Sequence, residues 1–235
     1  MAKKKLVFST GAGVSAESGI STFRDADGLW ENYPVMQVAS YEGFLRDPEL
    51  VHRFYNERRA ALLDALPNAA HKAIAELERD FDVEVITQNV DDLHERAGST
   101  RVTHLHGELR KLRSSRDPAL IVPIEGWEQP LDATAPDGVL LRPHIVFFGE
   151  AVPQFDHAAR IAAAADVLIV VGTSLAVYPA ASLVHYVRPG VPIYLVDPGA
   201  PDVRTIRNPL THLRERAAVG MPELAERLRR ESQPE

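Results

Sequence analysis

Residues 6–30 read LVFSTGAGVSAESGISTFRDADGLW. The apolar run Leu6, Val7 and Phe8 has the length of a buried strand. Gly11 and Gly13 follow at once, where main chain has to approach a neighbour closely. Gly11, Gly13 and Ala16 carry the spacing of a dinucleotide fingerprint, in which successive N–H groups and a helix N-terminus face a pyrophosphate. Glycines after a strand are also what an ordinary turn looks like. A hydride-transfer enzyme would want an acidic residue closing a second strand about twenty residues on. Here that region, FRDADGLWENYP (23–34), reads as loop. The stretch points to a nucleotide and away from an ordinary dehydrogenase.

The chain has 235 residues, enough for one large core or for a main domain with a smaller inserted one. Hydrophobic content of 45% and charged content of 25% are ordinary for a globular protein. A net charge of -7 gives no reason to expect nucleic-acid binding. The chain has no cysteine, which excludes disulfides, thiolate catalysis and Cys-ligated metals but leaves the redox compartment undetermined. MAKKKLVF has a basic start without a long apolar segment or small-residue cleavage site, and the expected location is cytoplasmic. Val167 to Val184 is uncharged, but Gly172, Thr173, Ser174 and Pro179 interrupt it. It reads as a buried strand, a loop and a short helix, and no membrane span is expected.

From Glu31 to about Asp80 the pattern turns helical, with Phe44, Leu45, Leu50, Val51, Phe54 and Tyr55 at helical spacings between Pro34, Pro48 and Pro67. Phe81 to Thr87 reads as a second buried strand with Gln88, Asn89, Asp91, Asp92 and His94 crowding its carboxyl end, where open α/β sheets hold ligands. Gln88, Asn89 and Asp91 could equally cap a helix beginning near Asp92. Val102 to Leu105 is another short strand, ending at His106 and Gly107. Arg110 to Gly138, with four prolines and Trp127, is the least regular part. Strands resume at His144 to Phe148, Val167 to Val171 and Ile193 to Val196. Helical segments around Phe155 to Ala165, Ala180 to Val187 and Pro222 to Arg230 supply the crossovers and final cover, and the tail ESQPE is expected to fray. The expected fold is a doubly wound, Rossmann-like α/β domain built from 1–30, 81–109 and 141–235, with a discontinuous small domain from 31–80 and 110–140.

Five segments, GAGVSAESGISTFR (11–24), QNVDDLHERAG (88–98), HLHGEL (104–109), LRPHIVFFGE (141–150) and GTSLAVYPAA (172–181), resemble the sirtuins, protein deacylases that consume NAD. The resemblance runs in family order over nearly the whole chain. It implies that His106 is the general base on the cofactor ribose, a task suited to a group that titrates near neutrality. Read without the family, His106 is more often a surface or core histidine, and His104, two residues before it, is read as facing the opposite side. The resemblance further implies that Gln88, Asn89 and Asp91 place nicotinamide, ribose and a water, Asn89 and Asp91 counting with His106 as catalytic. Gly11, Ala12, Gly13, Ser15, Trp30, Gly172, Thr173 and Ser174 would complete the NAD site, with Thr22, Phe23 and Arg24 as its cover. Where the family usually has an asparagine the chain has Leu195, so the adenosine ribose contact falls to Asp197. Ala218 and Val219 match the turn that meets adenine.

Tyr55 and Arg58 lie three apart on one helix face, where a phenol and a guanidinium can converge on one carboxylate, although such a pair is commonly a solvated surface. RFYNERR (53–59), with Thr22 and Ala26, resembles the sirtuin subgroup that removes succinyl, malonyl and glutaryl groups. Ala26 would leave room for the longer acyl chain, and acetyl would be a weaker substrate. Val146, Phe148, Gly149 and Glu150, with Leu175 to Val177, match the segments that clamp an acyl-lysine peptide as an added strand. Ser114 and Ser115 stand where the family's first zinc cysteines would be, so no zinc is expected, with Leu120, Ile121, Val122, Ile124 and Trp127 as an apolar substitute. The implied products are free lysine, nicotinamide and 2′-O-acyl-ADP-ribose. Protein mono-ADP-ribosylation and a non-catalytic NAD sensor are the alternatives.

Overall fold

The computed structural model describes residues 3–21, 29–30 and 33–232. Thr22, Phe23, Arg24 and Ala26, and the last three residues of the tail, lie outside the described residues. In chain order the elements are β1 Lys5–Thr10, a small ribbon of β2 Leu29–Trp30 and β3 Tyr33–Pro34, and helices α1 Val35–Val38, α2 Tyr41–Arg46, α3 Pro48–Asp64 and α4 Ala69–Glu76. There follow β4 Asp82–Thr87, α5 Leu93–Ala97, β5 Val102–His104, β6 Gly107–Ser114, β7 Ile121–Pro123 and β8 Leu141–Ile145. The chain ends with α6 Phe155–Ala163, β9 Val167–Val171, β10 Ile193–Val196, β11 Leu210–Leu213 and α7 Ala217–Ser232.

Six parallel strands pair in the order β11-β10-β9-β1-β4-β5. Numbered by appearance within the sheet this is 3-2-1-4-5-6, the doubly wound arrangement, and the expected fold class holds. Its central strands β9 and β10 are apolar and buried throughout because both faces are covered. Along β9, Val167, Ile169 and Val171 join the cluster packed under α4 and α7, while Leu168 and Val170 join the one under α6 and the 3-10 turn Ala180–His185. A two-residue period thus divides one strand between two cores. No helix among the described residues is long and apolar enough to cross a membrane, and Val167–Val184 resolves into β9, a loop and that 3-10 turn.

Helices α1 to α3 and the β2–β3 ribbon enclose a third core of Val38, Phe44, Val51, Phe54, Tyr55, Leu62 and Phe147. Asp47 starts α3 by accepting from the Leu50 amide at 2.9 Å, with Pro48 at the first helical position.

Two pieces of the stretch read as irregular prove to be strand, residues 110–114 and Ile121–Pro123, and most of the rest has no regular structure. β6 runs through Arg110–Ser114 and pairs antiparallel with β7 and β8. A register shift between Gly107 and Leu112 breaks the two-residue alternation, which hid the strand from a periodicity reading. The apolar substitute also differs from expectation. Ile124 is buried with Leu112, Ala135 and Leu141, backed by Val122 and Ala133. Ile121 and Trp127 are 44% and 43% exposed and contribute nothing to it. Ser114 is tied instead into polar contacts, donating to Asp137 at 2.7 Å and accepting from the Arg116 and Asp117 amides, each at 3.1 Å. Helix α7 begins five residues before Pro222, which the sequence reading took as a helix start.

Candidate active site

β1 and β9 lie side by side, yet the chain leaves them for opposite parts of the sheet, so their carboxyl ends open a crevice. The loops after them meet main chain to main chain. The Gly11 amide donates to the Val171 carbonyl at 3.0 Å, and the Gly13 amide to that of Gly172 at 2.8 Å. A Cβ on Gly13 would lie 2.7 Å from the Gly172 Cα, and Gly172, at φ +63°, would press a Cβ to 2.3 Å from the Val14 nitrogen. The glycines are therefore demanded by the neighbouring loop, which corrects the expectation that their amides face a pyrophosphate. The fingerprint's helix is missing too: the chain turns through two short 3-10 segments, Ala12–Val14 and Ala16–Ser18.

A cavity of about 600 Å³ extends from this floor, within the usual range of about 300–1,000 Å³ for ligand sites. Gly11, Ala12, Gly13, Ser15, Gly172, Thr173, Ser174 and Asp197 line it, as do Gln88, Asn89, Asp91 and His106. Trp30, Tyr55 and Arg58 line it too, as do Val146, Phe148, Gly149, Glu150 and Val177. Ala218 does not line it: Arg216 and Ala217 do, and the Ala218 amide donates to the Glu17 carboxylate at 2.8 Å. Among the described residues no three His, Asp or Glu side chains are grouped to hold a metal ion.

The segment after β4 is fixed from two sides. The His106 Nδ1 lies 3.0 Å from the Gln88 carbonyl, which can only accept, so Nδ1 carries the proton and Nε2 keeps a lone pair. Burial holds His106 below the ordinary histidine value, which keeps the ring neutral and basic near pH 7, although the Gln88 bond opposes the shift. Ser15, 1% exposed, is a hub: its hydroxyl donates to Asp91 and accepts from the Asn89 amide, each at 3.0 Å, with the His71 Nε2 at 3.4 Å. The sequence reading gave Ser15 to the cofactor, but its hydroxyl is already engaged in joining Asn89 to Asp91. Burial raises the Asp91 carboxyl, against bonds from the Leu93 amide and Ser15. Asp91 thus also accepts from the first amide of α5, that of Leu93, at 3.2 Å.

His104 does not face away from His106. Positions two apart in extended chain share a side, and the His104 Nδ1 accordingly lies 3.0 Å from the carbonyl of Asn89, next along from the carbonyl that His106 meets. His94 sits in α5, fully buried, with Nε2 3.0 Å from the Thr10 hydroxyl.

Tyr55 and Arg58 bring phenol and guanidinium to one wall of the cavity, Tyr55 1% and Arg58 7% exposed. The Arg58 guanidinium lies 4.0 Å above the Trp30 ring. The Tyr55 hydroxyl is buried without a hydrogen-bond partner among the described residues. The helical spacing is thus realised in the interior and not on a solvated face.

Sequence reasoning missed what holds the 146–150 segment. Arg142, at 2.6 and 3.0 Å, and Arg113, at 3.2 and 3.1 Å, grip the Glu150 carboxylate, which also accepts from the Phe147 amide at 2.8 Å. Arg142 stacks on Phe147 at 4.0 Å. Glu150 is therefore a brace for its own loop and not a free ligand. The amides of Val146 and Phe148 are likewise donated within the chain, to His106 and Ala39 at 2.9 and 2.8 Å. No spacing in the sequence signals an arginine pair drawn from β6 and β8.

The Sir2 family model matches residues 11–179. An NAD-dependent protein deacylase of Bacteroides thetaiotaomicron is 54% identical over 96% of this chain and 98% of its own length. One from Helicobacter pylori is 50% identical over 96% and 97%. Among solved structures, a Sir2 homolog–NAD complex superposes with a TM-score of 0.86 at 44% identity, covering 97% of this chain and 91% of that one. Sir2Tm bound to a propionylated peptide gives 0.77 at 34%, covering 97% and 93%.

Proposed function

Because the chain belongs to the Sir2 family, we propose that its cavity is the seat of the deacylation the family carries out, with the roles that follow. The protein is an NAD-dependent protein deacylase acting on acyl-lysine in proteins. NAD, when bound, supplies a ribose carbon that becomes electrophilic as nicotinamide leaves and a sugar hydroxyl that takes up the acyl group. The residues present fit it: a glycine floor between β1 and β9, buried amide and carboxylate groups beyond it, and enough volume for a dinucleotide. Thr173, Ser174 and Asp197, above the closed floor of Gly11, Gly13 and Gly172, would hold its adenosine and phosphate part, and Gln88, Asn89 and Asp91 its nicotinamide and ribose part.

His106 takes a proton from a sugar hydroxyl through Nε2. The observation that supports this is its Nδ1 bond to the Gln88 carbonyl, which selects the tautomer with the lone pair on the other nitrogen. Asn89 and Asp91, joined through Ser15, orient the reacting groups, and the dry wall around them strengthens each polar contact. The acyl group handled best is one that ends in a carboxylate. What supports this is the buried Tyr55 hydroxyl, without a hydrogen-bond partner among the described residues, on the same cavity wall as the Arg58 guanidinium, a phenol donor and a cation that one carboxylate can meet together.

The test is nicotinamide release from NAD with acetyl- and succinyl-lysine peptides, with free lysine identified as product. Release should depend on acylated peptide, with succinyl ahead of acetyl and Arg58→Met reversing that order. Equal rates with both peptides in the wild type would sink the acyl assignment. A mass-shifted protein in place of free lysine would sink deacylation itself.

A further inference from the structure

Between its bond to the Asn89 carbonyl at 3.0 Å and one to the Glu95 carboxylate at 2.8 Å, both nitrogens of His104 are engaged. Both partners can only accept, so both nitrogens carry protons and the ring is an imidazolium. It is a largely enclosed cation, its side chain 8% exposed against 40% for Glu95. Enclosing a charge is costly unless a well-placed opposite charge and further hydrogen bonds offset it, as Glu95 and the Asn89 carbonyl do here. The carbonyl it grips belongs to Asn89, whose side-chain amide meets the same Ser15 hydroxyl that donates to Asp91. Asp91 is 6% exposed, and of its charged neighbours Asp92 opposes its ionisation while His104 favours it.

We propose that His104 and Glu95 form a positioning pair for the deacylase site, a fixed imidazolium that anchors the Asn89 main chain and serves as counter-charge to the Asp91 carboxylate. The proposal rests on the reading of Asn89 and Asp91 as site residues. Burial opposes the charge on His104, but the Glu95 bond and charge, with the Asn89 carbonyl and Glu108 on β6, hold it above the ordinary histidine value. Lys111 on β6 acts on Glu95, and His94 on α5 is kept neutral by burial. The pair stands outside the cavity lining, so it touches neither peptide nor dinucleotide directly.

Two measurements test it. With ¹⁵N-labelled histidine, the His104 ring of the wild type should titrate above about pH 6.5, the ordinary value, and Glu95→Gln should lower that midpoint. A wild-type midpoint at or below about 6.5 overturns the proposal. In the pH profile of acyl-peptide-dependent nicotinamide release, His104→Gln and Glu95→Gln should each move the acid limb upward by about one unit, the effect of losing a nearby opposite charge. The double variant should move it no further. A loss that is uniform across pH, with the limb unmoved, marks a merely structural role and overturns the pair alone. A wild type that releases no nicotinamide at any pH overturns the deacylase reading together with it.

Discussion

Tyr55→Phe removes one oxygen and asks the protein two questions at once. The ring is 1% exposed and packs edge-on to Phe54 at 5.1 Å and against Phe147 at 6.0 Å, contacts that phenylalanine keeps. The hydroxyl has no partner among the described residues, and burial raises its ionisation well above the ordinary phenol range, so it remains a donor. An unsatisfied buried hydroxyl costs roughly 1–3 kcal/mol, so the variant should be more stable by about 1 kcal/mol, which for a chain of this size raises Tm by about 2–4 °C. If the same hydroxyl meets the substrate carboxylate, its loss forfeits a hydrogen bond to a charged group, roughly 1.5–3 kcal/mol, or about 10- to 150-fold in kcat/KM. The assay is kcat/KM for succinyl- and acetyl-lysine peptides, with thermal midpoints in the same buffer. The expected pattern is a higher Tm, a large loss with succinyl and little change with acetyl. A Tm lowered by several degrees, or equal losses on both peptides, would refute the reasoning.

His106→Ala should lower deacylation by about 10²- to 10⁴-fold, the usual contribution of a general base, while leaving NAD binding measurable by calorimetry. Arg142→Met removes the shorter of two arginine contacts to the Glu150 carboxylate and leaves Arg113 on it, so the cost should be about 1.5–3 kcal/mol, that of a hydrogen bond to a charged group, read as a lower urea midpoint. The looser 146–150 loop should raise KM for acyl-peptide more than for NAD. Burial lowers His52 and His71 each to about 4, and below the unfolded value near 6.5 the unfolded chain takes up these protons first. Stability should therefore be full above about pH 6.5 and fall as pH drops towards 4, by up to roughly 3 kcal/mol for each ring. His52→Leu should flatten the curve of urea midpoint against pH, and a curve that keeps its slope would contradict the assignment.

The parallel core was legible because its strands are short apolar runs buried on both faces, and that signal does not depend on knowing the partners. The β6–β8 sheet was not, because a register shift scrambles its alternation and the inward Leu112 stands among Arg110, Lys111 and Arg113. Gly11 and Gly13 announced a close approach correctly but not what approaches. A gap in side-chain volume looks the same whether a phosphate or a second loop fills it. His104 was misjudged by a parity slip that the strand period itself corrects. The convergence of Gln88, Asn89, Asp91 and His106 on one cavity came from matched segments, and the Ser15 hub and the Glu150 brace are long-range contacts that no local spacing encodes.

The loops of Gly11–Gly13 and Gly172 meet without side chains, while the facing wall is built from Tyr55, Arg58, Trp30 and Phe148. The floor therefore offers no side chain to exchange and tolerates almost no added atom. The facing wall can be altered one residue at a time. On the proposed reading, preference among acyl groups can shift in small steps at that wall while the floor beneath the dinucleotide stays as it was.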